Sequence, residues 1–245
     1  MRIAVVSDIH GNLPALEAVV KDFTRRGVDT VVNLGDSLSG PLLPLETAQY
    51  LMDQNWLHLA GNHERQVLTG SPGVWNASDA FTYAQLSSKE LAWMVGLAPT
   101  ATLGTDVFLC HANPRSDTEY LLETVEPTQL RLATHTEIML RLGNVEAPLV
   151  LCGHSHLARS MRSAKGQLLI NPGSVGLPAF GASRPHPHLV LTGSVDARYA
   201  IAEKQAENWV SSLIAVPYPH MTMAKLAKER ARDDWAQALA TGYVA

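Results

Sequence analysis

The sequence is poor in cysteine, in charge and in long apolar runs, and each shortage excludes a class of protein. Cys110 and Cys152 are its two cysteines, which are too few for a disulfide framework. Charged residues make up 17% of the 245 residues, and the net charge is −4. Because affinity for a phosphate backbone comes from clustered lysine and arginine, we expect no stable nucleic-acid binding. No apolar run approaches the roughly 20 residues that span a bilayer, so we expect no membrane insertion.

The rest of the composition is typical of a folded protein in a reducing compartment. The apolar fraction is 46%, which together with the low net charge excludes a disordered chain. The apolar stretch Ile3 to Val6 is shorter than the roughly 7–15 apolar residues of a signal peptide. We therefore predict a cytoplasmic protein with two buried cysteines and a single domain over residues 1–245.

The first sixty residues alternate between strand and helix patterns. Short β-branched runs predict strands at 3–7, 30–34 and 56–59, and periodic apolar positions predict helices at 13–23 and 46–52. This βαβαβ order implies a parallel sheet with helices on its faces.

The remainder of the chain contains more antiparallel patterns. Glycine, serine and proline predict a loop at 70–73, and an apolar run predicts a buried strand at 148–152. The predicted helices are 88–95, 127–142 and 221–239. The predicted strand pairs are 101–103 with 107–110, 160–162 with 167–170, and 188–191 with 198–201.

Clusters of polar side chains follow five of the predicted strands. Any one of them alone is more often a turn or a cap than a ligand set. Ligands of open α/β sheets bind outside the carboxyl ends of the strands, so five clusters there predict one metal site. The clusters are Asp8-Ile9-His10, Gly35-Asp36, Gly61-Asn62-His63-Glu64, His111 and Gly153-His154-Ser155-His156.

In these motifs the sequence resembles the calcineurin-like metallophosphoesterase superfamily. The segment from Asn171 to Gly176 resembles a further segment of its small bacterial and archaeal phosphodiesterase-like members, so the resemblance covers residues 1–180. It implies an α/β fold, a four-layer α/β/β/α sandwich of two mixed sheets. We expect a small cap insertion at 65–99 and a C-terminal helical extension at 205–245.

The resemblance also implies two divalent metal ions and a role for each motif residue. One metal would be held by Asp8, His10 and His156, the other by Asn62, His111 and His154, with Asp36 bridging the two. His63 would be the catalytic residue that protonates the leaving oxygen or stabilises the transition state. Glu64 would fix the Asn62-His63 turn. Imidazole, carboxylate and amide ligands favour Mn, Fe, Zn, Ni or Co, and we expect Mn²⁺ to support activity in vitro.

Departures from the family pattern restrict the class of phosphoester that we expect as the substrate. Protein Ser/Thr phosphatases of the superfamily carry an arginine after Gly-Asp and another before Gly-Asn-His-Glu, which together clamp a phosphate dianion. Ser37 and Ala60 occupy the adjoining positions here, and residues 37–40 contain no arginine. We therefore expect a small phosphodiester or nucleotide-type substrate, attacked in line by a hydroxide that bridges the two metals. Arg65 and Arg115 follow motif residues and are candidate substrate-binding residues.

Three alternatives stay open at this stage. The protein could be a phosphomonoesterase or a protein Ser/Thr phosphatase if other groups replace the missing arginines. It could be a metal-binding scaffold without activity, although the presence of all seven ligands and His63 favours an enzyme. The predicted helix at 221–239 could also dock a second copy of the chain to form a homo-oligomer.

Overall fold

The computed structural model describes residues 1–244. Its strands are β1 (Arg2–Val6), β2 (Thr30–Asn33), β3 (Leu57–His58), β4 (Thr100–Leu103), β5 (Val107–Cys110), β6 (Glu123–Glu126), β7 (Gln129–Leu132), β8 (Leu149–Leu151), β9 (Arg159–Arg162), β10 (Leu168–Asn171), β11 (Ala179–Ala182), β12 (His188–Leu191), β13 (Ala197–Gln205) and β14 (Asn208–Val216). Its helices are α1 (Leu13–Arg26), α2 (Pro44–Met52), α3 (Asn62–Thr69), α4 (Ala77–Gln85), α5 (Ser88–Val95), α6 (His135–Leu142), α7 (His220–Glu229) and α8 (Asp233–Thr241).

Two five-stranded mixed sheets form the centre of the molecule. The first has the order β14-β13-β1-β2-β3, and the second has the order β4-β5-β8-β10-β9. β1, β2 and β3 run parallel, as do β5, β8 and β10. The hairpins β6–β7 and β11–β12 form two further small sheets.

Three apolar cores separate four layers. The residues of β1 alternate between two of them: Ala4 and Val6 face the helices, whereas Ile3 and Val5 face the second sheet. The first core lies between the first sheet and the helices α1, α2, α7 and α8. The third core packs the far face of the second sheet against α6. The predicted α/β/β/α sandwich is confirmed.

The βαβαβ start of the chain forms as its sequence predicts. Asn12 caps α1 by accepting a hydrogen bond from the amide of Ala15 at 3.3 Å, and Gly27 ends the helix with a positive φ of 70°. The predicted pairs β4–β5 and β9–β10 are also confirmed, and both are antiparallel. Among residues 1–244, no helix is long and apolar enough to span a membrane.

The helix predicted at 127–142 is wrong in its first half. Residues 123–132 form the hairpin β6–β7, and α6 begins only at His135. Thr134 and Glu137 form a capping box that starts the helix there. Arg131 lies on the preceding strand and joins the two elements through ion pairs to Glu126 and Glu137.

The predicted pairing of 188–191 with 198–201 is also wrong. β12 pairs with β11, whereas β13 lies between β1 and β14. The central position of β13 buries Tyr199 and Ile201 in the first core, which a local hairpin around Gly193 would not achieve.

The chain beyond residue 205 differs from the expected helical extension. Its first part is the strand β14 at the edge of the first sheet. The single helix predicted at 221–239 is two helices, because Ala231 between them has a left-handed backbone with φ of 58°. The two helices pack against each other, and Trp235 on α8 returns to the core.

The segment 65–99 contains more helix than its sequence pattern indicated. The predicted helix at 88–95 is α5, and a helix without a predicted counterpart, α4, precedes it. Asn76 caps α4 by accepting from the amide of Asp79 at 2.9 Å. The role of this segment as a cap stays a prediction, as does the single-domain organisation.

Candidate metal centre

The polar clusters follow strands of both sheets and meet at one rim. Asp8 and His10 follow β1, Asp36 follows β2, His111 follows β5, and His154 follows β8. Hydrogen bonds join the loops of the two sheets. The amide of Gly153 donates to the carbonyl of His111 at 2.6 Å, and the amide of His154 donates to Asp8 Oδ2 at 3.1 Å. The two sheets therefore bring the side chains of all seven predicted ligands together in two neighbouring clusters.

The first cluster consists of Asp8, His10 and His156. One ligand atom from each residue lies within 4.8 Å of the others, and all three side chains are buried. His10 Nδ1 donates to the carbonyl of Ser39 at 2.7 Å, and His156 Nδ1 donates to the carbonyl of Leu177 at 2.7 Å. In the neutral imidazoles both Nε2 atoms are therefore acceptors, and they face each other at 3.2 Å.

The second cluster consists of Asp36, His111 and His154, with the same spacing of ligand atoms. His111 Nδ1 donates to the carbonyl of Leu34 at 2.9 Å, so its Nε2 faces Asp36 Oδ2 at 3.1 Å. His154 Nε2 donates to the carbonyl of Thr118 at 3.1 Å, which leaves Nδ1 as an acceptor. The side-chain amide of Asn62 completes the cluster.

Asn62 shows how well this cluster suits a cation. Its Oδ1 lies 3.2 Å from His111 Nε2 and faces acceptor atoms. Turning the amide over would instead direct its NH₂ at His154 Nδ1 and Asp36 Oδ2. A cation between these atoms satisfies the oxygen as it stands, because amide oxygen, carboxylate and imidazole are all metal ligands.

The charge balance of the buried groups also fits divalent cations. Burial raises the pKa of Asp8, but His156 and His111 lower it further, to about 2. Burial and the neighbouring His156 lower the pKa of His10 to about 4. The Oδ1 atom of Asp8 is buried and has no hydrogen-bond partner. An ionised Asp8 beside a neutral His10 is the state that binds metal, and a buried carboxylate oxygen without a partner is costly unless a cation pairs with it.

The surroundings of His111 favour positive charge. Burial lowers its pKa, but the carboxylates of Asp36 and Asp8 raise it to about 10. Its Nε2 faces Asp36 Oδ2 at 3.1 Å, and these are the two atoms that the cluster offers to a cation. A divalent cation held there would take the place of a proton.

Five of the seven predicted ligands have left-handed backbone conformations. The φ angles are 55° at Asp8, 52° at His10, 53° at Asp36, 66° at His154 and 57° at His156. Residues other than glycine adopt this region rarely, and such strain concentrates at functional sites. The tight turns allow two side chains from one short loop to point to the same side.

Gly61 must be a glycine for the second cluster to form. A Cβ at Gly61 would lie 2.3 Å from Asp36 Oδ1. Its backbone therefore comes close to the carboxylate that the cluster needs.

His63 lies beside the clusters and is held by an aspartate. His63 Nδ1 donates to Asp79 Oδ1 at 2.7 Å, and its backbone amide donates to Asp36 Oδ1 at 2.8 Å. Burial lowers the pKa of His63, but Asp36 and Asp79 outweigh this effect and raise it to about 9. The ring of His63 is 5.5 Å from that of His10. The surroundings of His63 thus favour its protonated form at the edge of the site.

Asp79 was not indicated by the sequence motifs. It is buried at the start of α4 and also accepts from Ser39 Oγ at 2.6 Å and from Asn76 Nδ2 at 2.6 Å. The pattern Asn76-x-x-Asp79 is a recognisable helix start. Nothing in it predicts the contact with His63.

Glu64 ties together the loops that carry Asp36 and Asn62. Its carboxylate accepts from the backbone amides of Asp36 at 2.8 Å, Ser37 at 2.7 Å and Gly61 at 2.7 Å. It is buried and belongs to neither ligand cluster.

The two candidate substrate arginines are both engaged elsewhere. Arg65 makes a bidentate ion pair with Asp117 at 2.6 and 2.9 Å and lines the cavity described below. Arg115 donates to the carbonyl of Leu140 at 2.7 Å, and it does not line that cavity.

A cavity of about 1450 Å³ opens over both clusters. His10, His63, His154 and His156 lie on its floor. Trp235 from α8 forms part of its wall, with its ring 5.8 Å from that of His10. The C-terminal helices therefore contribute to the site, although no motif in that part of the chain indicated it.

The sandwich with paired ligand clusters at one rim is that of a divalent-metal-dependent hydrolase. Residues 1–195 match the family model of the calcineurin-like phosphoesterase superfamily domain. The chain belongs to this superfamily and is a metallophosphoesterase, a hydrolase of phosphoric ester bonds. The predicted family is confirmed.

The chain is also similar to individual proteins. Protein MJ0912 of Methanocaldococcus jannaschii is 30% identical over 207 residues, which are 74% of this chain and 79% of that protein. The crystal structure of a metallophosphoesterase from Sphaerobacter thermophilus matches with a TM-score of 0.77 and 25% identity over 99% of each chain. The fold is also that of the hypothetical protein PH1004 from Pyrococcus horikoshii OT3, with a TM-score of 0.70 and 18% identity over 100% of this chain and 99% of that one.

Proposed function

We propose that this protein hydrolyses a phosphodiester or nucleotide-type substrate at a centre of two divalent cations. The observation that carries the proposal is the pair of buried ligand clusters, each with acceptor atoms facing one another, on the floor of one large cavity. His63, a proton donor held by Asp79, stands at the edge of the same floor.

Each residue has a role in this proposal. Asp8, His10 and His156 hold one cation, and Asn62, His111 and His154 hold the other. Asp36 bridges the two, and Glu64 fixes the loops on which Asp36 and Asn62 stand. Two bound cations supply a nucleophile derived from water and neutralise charge on the phosphoryl oxygens. His63 donates a proton to the leaving oxygen.

The ligand set favours a transition metal over magnesium. Four of the seven ligands are imidazoles, which suit Mn, Fe, Zn, Ni or Co. We propose Mn²⁺ as the activating metal in vitro.

The absence of an arginine clamp favours a diester. A phosphate dianion is best held by a bidentate guanidinium. The positions that adjoin the motifs carry Ser37 and Ala60, and Arg65 is committed to Asp117. A diester carries one negative charge fewer than a monoester, so the two cations balance it without that clamp.

The test compares bis-p-nitrophenyl phosphate with p-nitrophenyl phosphate in the presence of Mn²⁺. We expect faster hydrolysis of the diester and a loss of at least about 100-fold for His63→Ala, the usual contribution of a general acid. The exposed Asp53→Asn variant is the control. A preference for the monoester would overturn the diester proposal in favour of phosphomonoester hydrolysis. Absence of activity on both, with metal bound, would refute the proposed reaction for such substrates.

A further inference from the structure

The β11–β12 hairpin is built against both ligand clusters. On β11, the ring of Phe180 lies 4.6 Å from that of His156 in the first cluster. On β12, His188 Nε2 is hydrogen-bonded to the hydroxyl of Tyr120 at 3.0 Å, and the Tyr120 ring lies 5.0 Å from that of His154 in the second cluster. The hairpin is thus fixed relative to both proposed metals.

The turn of this hairpin, residues 183–187, forms part of the cavity wall. Its Ser183, Arg184 and Pro185 line the cavity. Pro185 and Pro187 fix two of the five φ angles in the turn, which limits the freedom of the segment that carries Arg184. The turn therefore presents Arg184 in a restricted position.

Arg184 differs from the other arginines of the cavity. Arg65 is paired with Asp117, Arg232 is paired with Asp234 and donates to Ser78, and Arg141 donates to the carbonyl of Glu123. Within residues 1–244, Arg184 makes neither a hydrogen bond nor an ion pair with another side chain or the backbone. It is the guanidinium that the cavity offers to a ligand.

We propose that Arg184 binds a second phosphate group of the substrate, separate from the phosphate that is cleaved. This inference rests on the proposed function of the metal site and names the substrate class more closely. Arg184 is four residues beyond Phe180, so their Cα atoms are at most about 14 Å apart. At that separation the long side chain of Arg184 reaches a phosphate next to the one at the metal centre, on the same molecule.

The chemistry of the side chain selects phosphate. A guanidinium offers a planar fork of N–H donors that fits two phosphate oxygens at once, and it stays charged at every physiological pH. The cavity is also larger than one nitrophenyl phosphate requires, because sites for drug-sized ligands begin at about 300 Å³. The natural substrate is therefore a nucleotide-type molecule with at least two phosphate groups.

The test uses two substrates with the same scissile bond. Thymidine 5′-(p-nitrophenyl phosphate) carries one phosphate, and its 3′-phosphorylated form carries a second. Wild-type protein with Mn²⁺ should prefer the 3′-phosphorylated form by about tenfold or more in kcat/KM, the effect of one charge-assisted hydrogen bond. Arg184→Ala should abolish this preference, and Arg184→Lys should retain part of it. Lys225→Ala removes an exposed charge on α7 and should retain all of it.

A binding measurement separates this inference from the proposed reaction. Calorimetry with thymidine 3′,5′-bisphosphate and thymidine 5′-monophosphate should show tighter binding of the bisphosphate in the wild type and equal binding in Arg184→Ala. If neither nitrophenyl ester is hydrolysed but this difference is found, the proposed reaction fails and the role of Arg184 stands. If the wild type does not distinguish one phosphate from two, or if Arg184→Ala retains the preference, the inference is overturned.

Discussion

Replacing Asp79 with asparagine tests whether the His63–Asp79 pair performs the proton transfer. The change keeps the shape of the side chain but removes the charge that faces His63 Nδ1 at 2.7 Å. Ser39 Oγ can still donate to the remaining oxygen, so the start of α4 should stay in place. Hydrogen bonds to charged groups contribute about 1.5–3 kcal/mol, and about 1.4 kcal/mol is a factor of ten in rate. We therefore expect kcat for the dinucleotide thymidylyl-(3′→5′)-thymidine, whose alkoxide leaving group needs a proton, to fall about 10- to 100-fold, with KM little changed.

The same variant should shift the pH dependence of the reaction. Burial lowers the pKa of His63, and the carboxylates of Asp36 and Asp79 raise it to about 9. The protonated imidazole is the acid, so activity is present below this pKa and is lost as the pH rises through it. Removing the charge of Asp79 lowers the pKa, and the basic limb of the kcat profile should move to lower pH.

The assay follows cleavage of this dinucleotide by chromatography from pH 6 to pH 10, with metal content and melting temperature measured on the same samples. Asp53→Asn removes an exposed carboxylate at the end of α2 and serves as the matched control. A variant with the wild-type kcat and an unmoved basic limb refutes the reasoning. A variant that loses metal as well as rate would show that Asp79 supports the clusters and not His63.

Three further outcomes follow from the geometry. Elemental analysis of protein purified without added metal should find about two transition-metal ions per chain. The His111→Ala variant should contain about one. A wild-type protein without metal would contradict the dinuclear centre. Affinity for Mn²⁺ should weaken as the pH falls from 8 to 6, because a proton competes with the metal for His111, whose pKa is raised to about 10; calorimetry that finds no proton release on binding contradicts this. Glu64→Gln should lower the free energy of unfolding by about 1–3 kcal/mol in urea titrations, because an amide NH₂ would face a backbone N–H. The exposed Glu46→Gln variant is the control. A loss of stability in Glu64→Gln no greater than in this control argues against the role of Glu64.

The grouping of the proposed ligand side chains could be predicted from the sequence because their signals are local. Asp8, His10 and Asp36 each follow a short buried strand within two to four residues, and parallel strands bring such ends to one rim. The four-layer sandwich was expected from the resemblance that these motifs carry, and the apolar residues on both faces of β1 agree with a layer on each side.

The parts that could not be predicted depend on contacts between distant residues. Asp79 reaches His63 through the packing of α4, and Trp235 reaches His10 from the other end of the chain. The partner of β12 is β11 and not β13, which is equally close along the chain, because β13 lies between β1 and β14. Such pairings leave no signal in the composition of the sequence or in the periodicity of its apolar residues. The helix predicted from Pro127 was wrong for a local reason, because the capping box at Thr134 is the stronger start signal.

The left-handed ligand residues imply a trade-off between metal binding and the stability of the apo-protein. A residue other than glycine in this region costs about 1–3 kcal/mol, so five such positions weaken the fold by an amount comparable with the whole stability of a small domain. Glycine relieves this strain, whereas alanine does not. Each ligand exchanged for glycine should therefore give a more stable apo-protein than the same ligand exchanged for alanine. Replacement of a ligand by glycine thus removes catalysis and stabilises the fold in the same step. A chain of this fold can therefore lose the reaction and remain folded.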